Sequence, residues 1–197
     1  MLDYISYESL QKIEPQNLIA VTEKINQNLS EDTIPIPSRI ESINLLRSIH
    51  KYQSAFFFEL FGALKSKFLK NCLHFDPNPR LQQISLNFIR EIYDDDSYEI
   101  PDEVVYDIYY DVLQFLKSND NNLREMAKSS IKTMAEKVVC NAKIVVLIET
   151  LKDSDENLCA FIFECFKNAI DNLKGYINLN YNFNQNFDKL CLEEISD

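Results

Sequence analysis

Four oxygen-bearing side chains stand at the spacing of a calcium-binding loop. Asp153, Asp155, Asn157 and Glu164 occupy positions 1, 3, 5 and 12 of an EF-hand frame, where Ca²⁺ takes its ligands. The frame also needs glycine at position 6 for a tight bend, and Leu158 stands there. The pattern is therefore incomplete at the position that shapes the loop.

A turn of matching pattern occurs a second time with fewer acids. Lys117–Leu123 matches Lys152–Leu158 position by position, but Ser118 and Asn122 stand where the later copy has Asp153 and Asn157. A polar turn that caps a helix explains both copies, whereas a calcium ion explains only one. We therefore predict helix caps and no metal.

A run of acids lies between two predicted helices. Asp94, Asp95 and Asp96 are followed by Glu99 and then by Asp102 and Glu103. Such a run could chelate a hard cation loosely, but charge runs of this kind are more often solvated loops or contact sites for a basic partner. We favour the solvated loop and rank a basic partner second.

The usual catalytic and cofactor motifs are missing from the sequence. Cys72 and His74 lie close together, but no second pair completes a zinc site, so we expect them to be residues at a helix end. Only His50 and His74 could act as an imidazole base, and no G-x-S-x-G, P-loop or dinucleotide fingerprint occurs. The sequence therefore predicts a protein that is not an enzyme and needs no cofactor.

The composition narrows the classes of partner. The formal net charge is −11, which disfavours nucleic acid and anionic membrane surfaces. Five cysteines without a CxxC motif favour reduced, buried thiols and a cytoplasmic protein. The longest apolar run, 138–148, is too short to span a bilayer.

Hydrophobic spacing is helical nearly throughout the chain. Helices are predicted over 18–29, from Ser38, over 54–69 and 80–93, and from Glu103 onward in two further pairs with turns at 118–122 and 153–157. We divide the chain into an N-terminal helical cap (1–34), a helical array (35–174) and an Asn-rich extended segment with a short terminal helix (175–197).

The turns repeat at intervals of 35 to 42 residues, since Asn78, Asp120 and Asp155 align. Each unit is a helix, a short polar turn and a second helix, and such a unit has too little surface to bury alone. The predicted fold is therefore all-α, an α-solenoid of stacked antiparallel helix pairs, with a plain helical bundle as the alternative. Apolar positions correspond as well: Ile84 with Met126 and Phe161, and Ile89 with Ile131 and Phe166.

These turns resemble HEAT and armadillo repeats, in which Asp or Asn caps the second helix. The stretch 39–49 is similar to the opening helix of a TOG domain of the CLASP and crescerin type, and 57–69 and 80–92 continue the same order of elements. The resemblance implies a partner-binding edge formed by the turns, with tubulin as the partner and the cytoskeleton or cilium as the location. The chain departs from that pattern, because it has no tryptophan for the first turn and its 153–156 turn is acidic.

The sequence thus predicts a non-enzymatic scaffold for protein–protein interaction within a larger complex. An armadillo-type regulatory or chaperone cofactor that grips a peptide is the alternative. A third reading is an obligate subunit that joins a neighbour through Leu2, Ile5, Leu10 and Ile13. The predicted partner-binding residues of the edge are Arg39, Asn78, Arg80, Asn119, Asn121, Arg124, Asp155 and Glu156.

The segment 176–187 has a different pattern. Ile177, Leu179, Tyr181 and Phe183 alternate with asparagines, which is the spacing of a strand. An arm that docks on a partner by strand addition would show this pattern, but we favour an irregular connection packed over the last helix pair.

Overall fold

The computed structural model of the protein describes residues 5–31, 33–74, 78–95, 102–137 and 156–174. These residues are helical almost throughout and include no strand, which confirms the predicted all-α class for this part of the chain. The predicted helix before the 153–157 turn and the predicted extended segment and terminal helix (175–197) lie outside the described residues.

Seven α-helices occur in the described ranges. Three 3₁₀ turns (Tyr7–Ser9, Pro15–Asn17 and Phe115–Lys117) and one π-helical turn (Leu69–His74) complete the regular structure. The helices are α1 Leu18–Asn28, α2 Ile36–Tyr52, α3 Ser54–Phe68, α4 Pro79–Asp94, α5 Asp102–Gln114, α6 Asn121–Lys137 and α7 Glu156–Lys174.

Two helices begin with the aligned polar residues of the repeated turns. The Asn78 side chain accepts hydrogen bonds from the backbone N–H groups of Arg80 (3.1 Å) and Leu81 (3.2 Å). Asp120 accepts in the same way from Asn122 (2.8 Å) and Leu123 (3.3 Å). Both residues are therefore N-caps, which satisfy backbone donors that have no partner within the helix.

The faces that α4, α6 and α7 bury also recur in the same frame. Relative to Leu81, Leu123 and Leu158, the fourth, seventh and eleventh residues that follow are buried in all three helices. A common buried face is what helices need when each packs against the next one of its kind. The recurring buried positions are Ser85, Ala127 and Ile162, then Phe88, Ser130 and Cys165, then Ile92, Met134 and Ala169.

These buried faces meet one another in sequence. α2 packs against α4, α4 against α6, and α6 against α7, while α3 contacts α2 and α5 contacts α6. α2 and α4 run parallel, and so do α4 and α6, since Gln82 in the first turn of α4 and Ser118 just before α6 line one cavity. Arg47 pairs with Glu91 near the ends of α2 and α4, and the Ser130 hydroxyl of α6 donates to the Leu86 carbonyl of α4 at 3.4 Å.

An aromatic cluster joins α3 to α4. The ring of Phe88 lies edge-on to Phe57, Phe61 and Phe68, with centroid distances of 6.0, 5.7 and 5.6 Å. All four rings are fully buried. Edge-to-face contacts of this kind add to the free energy gained from apolar burial. This cluster therefore stabilises the packing of α3 against α4.

We expect the two observed caps to contribute similarly to stability. Replacement of Asn78 or Asp120 by Ala should each lower the free energy of unfolding by about 1 kcal/mol, because backbone N–H groups lose their acceptor. Urea denaturation followed by circular dichroism measures this change. The exposed Asn119, replaced by Ala, is the matched control and should change stability little. An equal loss in the control would show that the caps have no special role.

Candidate functional site

The structure places most of the described edge residues at the starts of parallel helices. Asn78 and Arg80 stand at the start of α4, and Asn119 and Asn121 stand at the start of α6. Because α4 and α6 run parallel and in contact, these residues lie along the same edge. We call the edge formed by 78–82 and 117–124 the turn edge.

Arg124 stabilises the 118–121 turn of this edge through hydrogen bonds. Its guanidinium donates to the Ser118 carbonyl at 2.5 Å and to Asn121 Oδ1 at 3.0 Å. Arg80 and Asn119 are exposed. The turn edge therefore combines a fixed backbone with polar side chains that face solvent, which is the usual composition of a binding edge built on a rigid scaffold.

The structure corrects the prediction for Arg39. Its side chain is 1% exposed, and its guanidinium donates to the Asn71 carbonyl at 2.8 Å. The Asn71 amide in turn donates to the Leu29 carbonyl at 2.6 Å. Arg39 thus joins α2 to the π-helical turn and the end of α1. It is a structural residue, because α2 packs against α1, α3 and α4 at once.

The last aligned turn is described only in part. Glu156 is exposed and begins α7, one residue after the aligned Asp155, as the frame of the other two turns requires. Asp155 itself and Asp153 lie outside the described residues. Glu164, the last predicted oxygen ligand, is exposed on α7 and lies 4.0 Å from Lys132 Nζ.

A cavity of about 260 Å³ opens between the two described turns of the edge. It lies where the end of the π-helical turn, the first turn of α4 and the 3₁₀ turn before α6 meet. The lining is mainly polar and includes His74, Gln82, Gln114, Lys117 and Ser118. The cavity supplies hydrogen-bond donors and acceptors next to the exposed side chains of the turn edge.

A second cavity, of about 360 Å³, lies on the other side of His74. Lys70, Tyr110 and the two acids Asp107 and Asp111 line it. Tyr110 is 45% exposed at this cavity. His74 therefore lies between the two cavities. Its contacts link the π-helical turn after α3 to α5.

His74 is held by an ion pair with a helix that sequence reasoning did not connect to it. Its Nε2 lies 3.0 Å from Asp111 Oδ1 of α5. This hydrogen bond raises the pKa of His74 above its ordinary value, and partial burial opposes the rise. Lys65 and Asp107 form a parallel link at 2.6 Å. The sequence does not indicate that α3 and the π-helical turn after it contact α5. Only the packing of the helices brings these residues together.

Three free thiols lie within the described ranges. Burial raises the pKa of the Cys165 thiol to about 12, so it stays protonated at neutral pH. Cys72 is buried and Cys159 is half-buried, and both are free thiols, as the sequence predicts for these two. Within the described ranges no three His, Cys, Asp or Glu side chains stand close enough together to hold one metal ion.

None of the described helices is long and apolar enough to cross a bilayer. Comparison of the chain with protein-family models, with curated proteins and with solved structures finds no match. The arrangement of the described residues is therefore the basis for any proposal about function.

We expect the His74–Asp111 pair to make stability depend on pH. A histidine whose pKa is raised on folding stabilises the folded state fully below its unfolded pKa of about 6.5. That contribution is lost as pH rises through the higher folded pKa. The difference in unfolding free energy between wild type and His74→Gln should therefore shrink as pH rises above about 6.5.

Urea denaturation at several pH values measures this difference. His50 has the opposite sign, because burial lowers its pKa, but its contribution cancels between wild type and His74→Gln. Asp111→Asn is the matched variant and should lose the same pH dependence. A difference between wild type and His74→Gln that stays constant from acid to alkaline pH would contradict the assignment.

Proposed function

We propose that the protein is a HEAT-like α-solenoid scaffold that binds another protein along its turn edge. The observation that carries the proposal is the equivalence of Asn78 and Asp120, which cap two parallel, contacting helices in the same way. The recurrence of buried positions in α4, α6 and α7 supports the same repeat. Stacked repeats of this kind hold their turns in a row and so present an extended binding edge.

The chemistry of the edge favours a polar contact with an acidic surface. Arg80 and Lys117 are exposed on it, and the half-buried Arg124 is a third basic residue of the same edge. These basic groups stand out on a chain whose formal net charge is −11. Complementary charge speeds encounter and selects the partner, even where it adds little to affinity.

Within this proposal tubulin is the first candidate partner. The resemblance to TOG domains implies tubulin, and the surface of tubulin is acidic. The burial of Arg39 removes one basic group from the predicted edge, whereas Lys117 adds one. A cytoskeletal or ciliary assembly is the corresponding larger complex. This part of the proposal rests on the resemblance and on charge.

Charge reversal on the edge tests the proposal. We expect the double variant Arg80→Glu and Lys117→Glu to lose capture of the partner, because both exposed cations of the edge change sign. Arg90→Glu is the matched control: Arg90 lies on the same helix as Arg80, near its other end, beside Asp94. Affinity capture followed by mass spectrometry identifies proteins that bind wild type and the control but not the double variant.

Co-elution with tubulin dimers on size exclusion, at low and at physiological salt, tests the candidate partner directly. A complex that persists at physiological salt and disappears in the double variant supports tubulin. Separate elution at both salt concentrations would remove tubulin. Capture of the same proteins by the double variant and by wild type would remove the turn edge as the binding surface.

A further inference from the structure

The segment of residues 5–14, which we call the strap, crosses the end of α2 at the edge opposite the turn edge. It contains one 3₁₀ turn, Tyr7–Ser9, and no other regular secondary structure. The backbone angles at Ser6 (−55°, 139°), Leu10 (−62°, 135°) and Glu14 (−66°, 140°) are close to those of a polyproline II helix. Such a backbone makes no internal hydrogen bonds over most of its length, so its carbonyls are available to other donors.

Four side chains at the end of α2 bind those carbonyls. Arg47 donates to the carbonyl of residue 5 at 2.6 Å, and Lys51 donates to those of residues 7 and 8 at 2.6 and 3.1 Å. Tyr52 donates to the carbonyl of residue 10 at 2.9 Å, and Gln53 to that of residue 13 at 2.7 Å. We call these four donors the carbonyl clamp. Every chain has backbone carbonyls, so these contacts do not depend on the sequence that is bound.

The side chains of the strap follow a period of three. Tyr7 and Ile13 are half-buried and Leu10 is 4% exposed, whereas the other seven side chains of the strap are exposed. Polyproline II and 3₁₀ conformations both have about three residues per turn, so every third residue faces the same way. The Tyr7 hydroxyl lies 3.4 Å from His50 Nδ1, and Ile13 packs against the hydrophobic core. The strap therefore turns an apolar or aromatic side chain towards the protein at every third position.

We propose that the carbonyl clamp and the adjoining surface that holds Tyr7, Leu10 and Ile13 form a binding site for an extended segment of a partner protein, which the strap occupies within the same chain. The segment would have polyproline II character and an apolar side chain at every third position. The site depends on the described contacts of α2 and is separate from the turn edge. The strap competes with the partner because it fills the same contacts.

The test uses a fluorescent peptide with the sequence of residues 5–14 as the probe. In the wild-type chain the tethered strap competes at an effective concentration in the millimolar range, so we expect binding about 10²-fold weaker than to a chain whose strap is displaced. The full chain with Leu10→Ser is that second form, because it loses the one fully buried side chain of the strap. Fluorescence anisotropy measures both affinities, and Ile19→Ser, at a residue 75% exposed, is the matched control.

Two further variants show whether the contacts are those seen here. We expect the triple variant Leu10→Ser, Lys51→Met and Gln53→Leu to bind the probe no longer tightly. A peptide with serine at the positions of Leu10 and Ile13 should also fail to bind tightly to Leu10→Ser. Equal binding to wild type and to Leu10→Ser, or binding that survives the loss of Lys51 and Gln53, would overturn the proposal. A wild-type dimer that Lys51→Met dissociates would also overturn it, since a second copy of the chain would then be the occupant.

A second route covers the case in which Leu10→Ser does not fold. A protease site inserted after Gln16, within the exposed stretch 15–17, allows the folded full chain to be cut. The released segment should then exchange with the fluorescent peptide, and excess unlabelled peptide should reverse the exchange. A cut chain that holds the strap but takes up no probe over days, or one that loses the strap and binds no probe, would overturn the proposal.

Discussion

The contacts of α2 with α4, of α4 with α6 and of α6 with α7 determine where the other described features of this protein lie. Because these helices pack in contact, the starts of α4 and α6 lie on one edge and the ends of α2 and α4 on the other. The first edge carries the N-caps and the polar cavity. The second carries the Arg47–Glu91 pair and the strap. Both proposed binding sites depend on this one packing constraint.

Buried polar groups set the register of that packing. Arg47 is fully buried and binds Glu91 through two hydrogen bonds of 2.7 Å while it also donates to the Asn44 side chain at 3.0 Å. A buried ion pair contributes little net stability relative to an apolar pair, but removal of one partner is costly. Such a pair therefore serves to align α2 with α4. Arg47 also donates to the carbonyl of residue 5 in the strap. The same residue therefore aligns the two helices and belongs to the carbonyl clamp.

The helices and the caps could be predicted from the sequence because they depend on local rules. Asn78 and Asp120 are small polar residues directly before periodic apolar runs, and that signal needs no tertiary information. The prediction that Arg39 lies on the binding edge was wrong. From the local sequence an arginine is expected to be exposed, whereas Arg39 is buried because α2 packs against α1, α3 and α4. The His74–Asp111 pair and the strap could not be predicted, because helix packing brings together residues that no periodicity relates. Tyr7, Leu10 and Ile13 do show a three-residue spacing, but spacing in so short a segment does not identify what it packs against.

Hydrogen exchange of the backbone amides, with and without a captured protein partner, tests the central claim that the turn edge is the binding surface. Our account predicts slower exchange in the complex within 78–82 and 117–124, and unchanged exchange at the ends of α2 and α4. Protection confined to residues 5–14 and 47–53, with unchanged exchange along the turn edge, would contradict it.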